Sequence, residues 1–255
     1  MLTLHYKELG QGDPLLILHG LFGTLENWGG QIKALSGQFR VFAIDLRNHG
    51  RSPWSEQMDY PSLSADLIAF MDQHGIERAA VLGHSMGGKA AMQLALDHPE
   101  RVSRLLVVDI APVRYPPGHN EVFDGLFGVD LAHLASRGDA DQQLAAHIDD
   151  AGVRQFLLKN LYRDGDHFAW RMNLKALHRE YEQIAAAPES KGHYPGPTQF
   201  IKGGRSSYIQ EAHRGAIGKL FPNASARVME GVGHWPHAEK PELFTRLALR
   251  FLQAP

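Results

Sequence analysis

Short apolar runs alternate with amphipathic stretches along most of the chain. Seven runs have strand length and composition: Leu2–Lys7, Leu15–Leu18, Val41–Asp45, Ala79–Gly83, Leu105–Asp109, Gln199–Lys202 and Arg227–Glu230. Between them, Ser64–Gln73 and Gly88–Leu96 place apolar residues at helical spacing. Strand–helix alternation of this kind predicts an α/β fold, a mostly parallel central sheet flanked by helices on both faces.

One interval breaks the rhythm. From Pro112 to Pro197 no buried-strand pattern occurs, while "VRQFLLKNLY" and "NLKALHREYEQIA" read as helices. The interval is too long for an ordinary strand-to-strand connection. It predicts a helical cap at 112–197 lying over a core made of 1–111 and 198–255. Ligands of α/β proteins bind at strand ends, where such a lid would sit.

Composition narrows the function classes. With 255 residues, 44% hydrophobic and 21% charged, the chain can bury one good core. A net charge of −2 exerts no general pull on nucleic acid or anionic membrane, so a neutral or mildly polar small molecule is the expected partner. There is no cysteine, which excludes disulfides, thiolate-bound metal and a cysteine nucleophile. The amino terminus lacks a signal-peptide pattern and no apolar run is long enough to span a bilayer, so a soluble, cytoplasmic protein is expected. Monomer and homodimer both remain open.

The candidate chemistry sits in "VLGHSMGGKA", Val81–Ala90. Gly83–Gly87 fits G-x-S-x-G, the turn that presents a nucleophilic serine. Gly83–Lys89 also fits the start of a phosphate-binding P-loop. A P-loop needs Ser or Thr after the lysine to hold Mg²⁺, and here that residue is Ala90. The nucleophile reading finds its partners elsewhere. A serine needs a histidine to take its proton and backbone donors for the oxyanion. "LLILHGLFG" ends a strand at His19-Gly20 and would offer the N–H of Leu21, with the N–H of Met86 as second donor. "GVGHWPHAEKPE" supplies His234 after the last strand. The order of these elements points to acyl chemistry on Ser85.

With those residues in view, the sequence resembles an α/β-hydrolase almost end to end. "HGLFG", "DLRNHGRS", "GHSMGG", "DIAPV" and "GHWPHAEKP" together resemble the small bacterial esterases of the YbfF type. The resemblance implies an α/β-hydrolase fold with its helical cap inserted after the sixth strand. It also implies hydrolysis of esters, with acyl-CoA thioesters as a further substrate class, and no cofactor. The acid is less plain. Many α/β-hydrolases carry it after the next-to-last strand, but in "FIKGGRSSYI" that slot holds Ser206, and nearby Glu211 falls in a helical pattern facing solvent. Asp109 closes the strand that follows the elbow helix, so its carboxylate should emerge beside Ser85. "DIAP" also matches the acid-bearing segment of the YbfF-type esterases. Asp109 is therefore the expected acid, with Ser206 a supporting hydrogen-bond partner of the Asp109–His234 pair.

Other residues weigh less. Asp45, Arg47 and Arg51 read as an ion-pair and turn network bracing the loops. His19 and His84 read as satisfied, partly buried rings, and Lys89 as a solvated surface charge. His49, His119 and His237 lack ligand spacing and no metal is assigned. Of the aromatics that could wall an acyl pocket (Phe22, Trp28, Phe123, Phe127, Trp170 and Trp235), Phe22 and Trp235 adjoin the catalytic loops and are the better candidates. Two rival functions share the scaffold: a C–C hydrolase or lyase, which would use cap cations such as Arg114 or Arg154, and a non-catalytic ligand receptor.

Overall fold

The computed structural model describes residues 2–190 and 192–254; Met1, Lys191 and Pro255 lie outside the described residues. The chain lays down β1 (Tyr6–Leu9), β2 (Pro14–Leu18), β3 (Arg40–Ile44), β4 (Ala79–His84) and β5 (Val102–Val108). It then leaves for a hairpin of β6 (Leu161–Asp164) and β7 (His167–Trp170), and returns with β8 (Thr198–Gly203) and β9 (Ala224–Met229). Seven strands form one sheet in the order β1-β3-β2-β4-β5-β8-β9, parallel except for β1. The first strand begins at Tyr6 rather than Leu2, where pairing with Ile44 of β3 starts.

Strand alternation sends side chains to opposite faces, and both faces are covered. On β2, Leu15 and Ile17 join the core beneath α1 (Gly29–Leu35) and the last helix, while Leu16 and Leu18 join the other. That second core holds α2 (Tyr60–Gln73) and α3 (Met86–Asp97). The helix α2 starts earlier than its apolar period suggests, because Asp59 caps it by accepting from the Ser62 N–H at 2.7 Å.

Between β5 and β8 lie α4 (Asn120–Gly128), α5 (Arg137–Leu144), α6 (Ala151–Leu158), the β6–β7 hairpin, α7 (Leu174–Arg179) and α8 (Tyr181–Ala185). This helical insertion leaves the sheet after the fifth strand along the chain, not the sixth, because a single short strand precedes β2. "NLKALHREYEQIA" breaks into two helices at Glu180, and the end of "VRQFLLKNLY" turns into β6. Two buried asparagines tie the insertion to the core. Asn160 Nδ2 donates to the Phe22 carbonyl at 2.7 Å, and the Asn173 N–H donates to the Asn48 carbonyl at 2.9 Å. The chain closes with α9 (Arg214–Leu220), α10 (Pro236–Glu239) and α11 (Pro241–Leu252), the last packing against α1.

Candidate active site

Parallel β4, β5, β8 and β9 point their carboxyl ends to one edge of the sheet, where loops converge. Ser85 stands between β4 and α3 at φ 52°, ψ −121°, a region that non-glycine residues rarely occupy. The flanking glycines permit the turn: a Cβ at Gly83 would lie 2.2 Å from the Gly87 carbonyl oxygen, and one at Gly87 would lie 2.4 Å from that of His19. Asp109 and Phe22 are also held at positive φ, 51° and 60°. Local strain therefore clusters around one point, as it does at functional sites.

Around that point the predicted residues meet. His234 Nε2 lies 3.1 Å from Ser85 Oγ, and Nδ1 lies 2.8 Å from Asp109 Oδ2. With Nδ1–H donating to the carboxylate, Nε2 is left to accept from the serine hydroxyl. Asp109 is fully buried, and its carboxylate also accepts from the Gly203 N–H at 2.9 Å and from the Ser206 hydroxyl. A buried carboxylate requires such donors. Glu211, the rival acid, is exposed and pairs with Arg214. Met86 opens α3, so its N–H is one of the four with no intrahelical acceptor. Among the described residues, neither that N–H nor that of Leu21 has a protein acceptor, and both residues line a cavity with Ser85.

The alpha/beta hydrolase fold family matches residues 13–241. The chain belongs to that family. It is 41% identical to the sn-1-specific diacylglycerol lipase ABHD11 of Mus musculus, over 98% of this chain and 85% of that protein. It is 38% identical to esterase YbfF of Escherichia coli, over 94% of this chain and 93% of that protein. The solved structure of a marine microorganism esterase superposes with a TM-score of 0.96 at 35% identity, covering 98% of this chain and all of that one. Within the alpha/beta hydrolases the chain stands with the bacterial esterases related to YbfF.

Two cavities meet at Ser85. One, of about 250 Å³, is walled by Phe22, Val122, Val153, Phe156, Leu157 and Trp235. The other, of about 370 Å³, lies under α8 and carries Lys89, Arg114, Tyr115, Tyr181 and His213. Phe22 and Trp235 thus border the site, and Trp28 lines the first cavity. Phe123 packs behind Phe22 at 5.2 Å between ring centroids, Trp170 is buried elsewhere and Phe127 is largely exposed. Of the two cap arginines, Arg114 lines the second of these cavities and Arg154 lines neither. Arg154 is bound within the cap by Asp141 and the carbonyls of Ile148 and Asp149.

Burial sets the electrostatics. It lowers His19 to about 4 and His49 to about 3, and their rings act as local struts. His19 Nε2 accepts from the Leu46 N–H, and His49 Nε2 from the Phe22 N–H. Burial, then proximity to His234, pushes His84 well below its ordinary value and lowers His119 to about 4 and His237 to about 3. These neighbours stay neutral near pH 7 and add no charge beside His234.

Several readings need correcting. Lys89 is not a surface charge: it is 2% exposed, because residues 86–95 of α3 are buried on every side. Asp45 does not pair with the arginine side chains; it accepts from the N–H groups of Leu25 and Arg51, while Arg47 pairs with Asp66 at 2.6 Å. Of two neighbours of His234, sequence reasoning missed Tyr208 and read His84 only as a satisfied ring near the site. Tyr208 stacks on the His234 ring with centroids 4.0 Å apart, and His84 Nε2–H donates to the His234 carbonyl at 2.7 Å. Nothing local distinguishes Tyr208 from the other tyrosines, whereas His84 adjoins the serine and was visible as a neighbour.

Proposed function

We propose that the protein is a serine hydrolase cleaving short- to medium-chain carboxylic esters through an acyl-enzyme on Ser85. One observation carries the reading: the unbroken hydrogen-bonded series Ser85–His234–Asp109, at 3.1 and 2.8 Å, beside two N–H groups without protein acceptors. As Ser85 Oγ bonds to the acyl carbon, His234 Nε2 takes its proton and the carbonyl electron pair moves onto oxygen. The N–H groups of Leu21 and Met86 stabilise that oxyanion. Collapse breaks the bond to the leaving group, which takes the proton from His234. Water then repeats the sequence and releases the acid. Asp109 orients the histidine and stabilises its protonated form, and Ser206 steadies Asp109.

Phe22 and Trp235 wall the cavity that receives the substrate's hydrocarbon chain. Residues 112–197 act as a cap over a core of 1–111 and 198–255, and its compactness limits chain length. An alcohol or a thiol can leave the same acyl-enzyme, so acyl-CoA thioesters fall within the reading. The esterase and lipase names of the relatives support ester chemistry over the C–C hydrolase alternative.

The test is direct. A fluorophosphonate should form a single adduct on the peptide carrying Ser85, seen by mass spectrometry. Ser85→Ala should lower kcat for p-nitrophenyl butyrate by up to on the order of 10⁶ with an unchanged circular dichroism spectrum. An adduct on Ser206 or Ser207, or near-normal turnover by Ser85→Ala, would overturn the assignment.

A further inference from the structure

The cavity under α8 has features that ester hydrolysis alone does not call for. Lys89 stands one helical turn after Ser85 on α3, on the same face. Its Nζ donates to the carbonyls of Ala185 at 3.0 Å and Ala186 at 2.5 Å, and lies 4.8 and 5.6 Å from the ring centroids of Tyr115 and Tyr60. An ammonium has three N–H donors. Among the described residues two carbonyls accept from Lys89, and the third N–H has ring faces beside it but no oxygen or nitrogen acceptor. Arg114 lines the same cavity, paired at its exposed edge with Glu182 at 3.2 Å. No Asp or Glu lines the cavity among the described residues. Fastening the cap to α3 needs two donors, which a neutral side chain could supply; it does not explain a buried third donor in a cavity that also carries Arg114, whose Nη1 is held at the rim by the Glu182 carboxylate and carbonyl. Burying a positive charge is costly unless an anion or a full set of acceptors meets it.

We infer that this cavity binds a carboxylate borne by the ester substrate, held by the remaining Lys89 N–H and by Arg114. The inference rests on the serine-hydrolase reading of Ser85 and narrows it to mono-anionic esters. Charge-assisted bonds of this kind are roughly twice as strong as neutral ones, enough for about a tenfold preference or more. Burial, with Arg114 as the second cause, lowers the Lys89 amine to about 7, so a bound carboxylate would draw it toward the charged form.

The experiment compares kcat/KM for matched esters that differ in one charge. 4-Carboxyphenyl butyrate against 4-acetylphenyl butyrate places the anion on the leaving group; monoethyl against diethyl succinate places it on the acyl half. The expected result is about a tenfold or greater advantage for the carboxylated member of one pair, and the favoured pair identifies the half that enters the cavity. Lys89→Met and Arg114→Gln should each reduce that advantage, mainly through KM. The Arg114 variant alters an exposed side chain, so the test survives if Lys89→Met does not fold. Equal or better turnover of the neutral esters in both pairs would overturn the inference while leaving the esterase reading intact, as would an advantage unchanged in both folded variants. Failure of all four esters together with no fluorophosphonate adduct on Ser85 would remove the esterase reading, and the inference with it.

Discussion

The two cavities that share Ser85 differ in the side chains that line them. The smaller, about 250 Å³, is mostly hydrocarbon and aromatic surface supplied by α4, α6 and the His234 loop. The larger, about 370 Å³, also has hydrocarbon walls in Leu21, Ile110 and Ile184, but adds tyrosines, Lys89 and Arg114 beneath the carboxyl end of α8. Apolar contact is non-directional and grows with area, so the first should discriminate gradually, by about 0.8 kcal/mol for each buried CH₂. Directed donors discriminate sharply, because a ligand that cannot use them leaves them unpaired. A single serine between two such walls can therefore be permissive about one end of its substrate and strict about the other.

A change at the junction should not tell the cavities apart. Asp109→Asn keeps the shape of the acid but loses the charge behind His234, and kcat should fall by roughly 10³–10⁴ for neutral and carboxylated esters alike. Steady-state kinetics on both substrate types checks this. Near-normal kcat in that variant, with loss in Glu211→Gln, would move the acid to the later strand.

Filling one cavity should separate them. From acetate to hexanoate, four added CH₂ groups should raise kcat/KM by up to on the order of 10² in the unmodified protein. In Val153→Trp, which obstructs the apolar cavity, the series of p-nitrophenyl esters should flatten. An undiminished chain-length slope would show that the hydrocarbon lies elsewhere.

Ser206→Ala returns to the junction with a milder change. It removes one of the donors converging on Asp109, and about a tenfold loss in kcat is expected for both substrate types, the equivalent of about 1–2 kcal/mol. A loss as large as that of Asp109→Asn would make the serine far more than a support.

The smallest effect should come from pH and touch only the polar cavity. Lys89, lowered to about 7, carries its charge below that pH and loses it as pH rises. Burial pushes the phenols of Tyr60, Tyr115, Tyr181 and Tyr208 up and His119 down to about 4, while Arg stays charged throughout. His213 also lines the cavity and Glu182 pairs with Arg114 at its rim, so the Lys89 share is the part of the pH dependence lost in Lys89→Met. The carboxylated-over-neutral ratio should therefore fall several-fold between pH 6 and pH 9, measured as kcat/KM for a matched pair. A ratio that rises with pH would contradict a role for the Lys89 ammonium.

The seven strands of the main sheet, α2 and α3, the helical insertion and the candidate residues Ser85, Asp109 and His234 were legible in the sequence through local periodicity, glycine placement and the order of motifs; the β6–β7 hairpin and several of the shorter helices were not. Asp109 stood out because it closes the strand that follows the elbow helix, at the sheet edge bearing Ser85, and no rival carboxylate is as well placed in the sequence. Lys89 could not be judged in the same way. A helix one turn past a glycine-rich elbow looks the same whether one face or all faces are covered, and only packing against α2, the sheet and the cap removes its solvent side. The stacking of Tyr208 on His234 and the meeting of two cavities at Ser85, one of them carrying Lys89 and Arg114, were likewise settled by tertiary structure. The sequence determines what each segment can form and which groups can react. Contacts between segments far apart in the chain, such as Lys89 with Ala185, exist only once the cap has closed over the sheet.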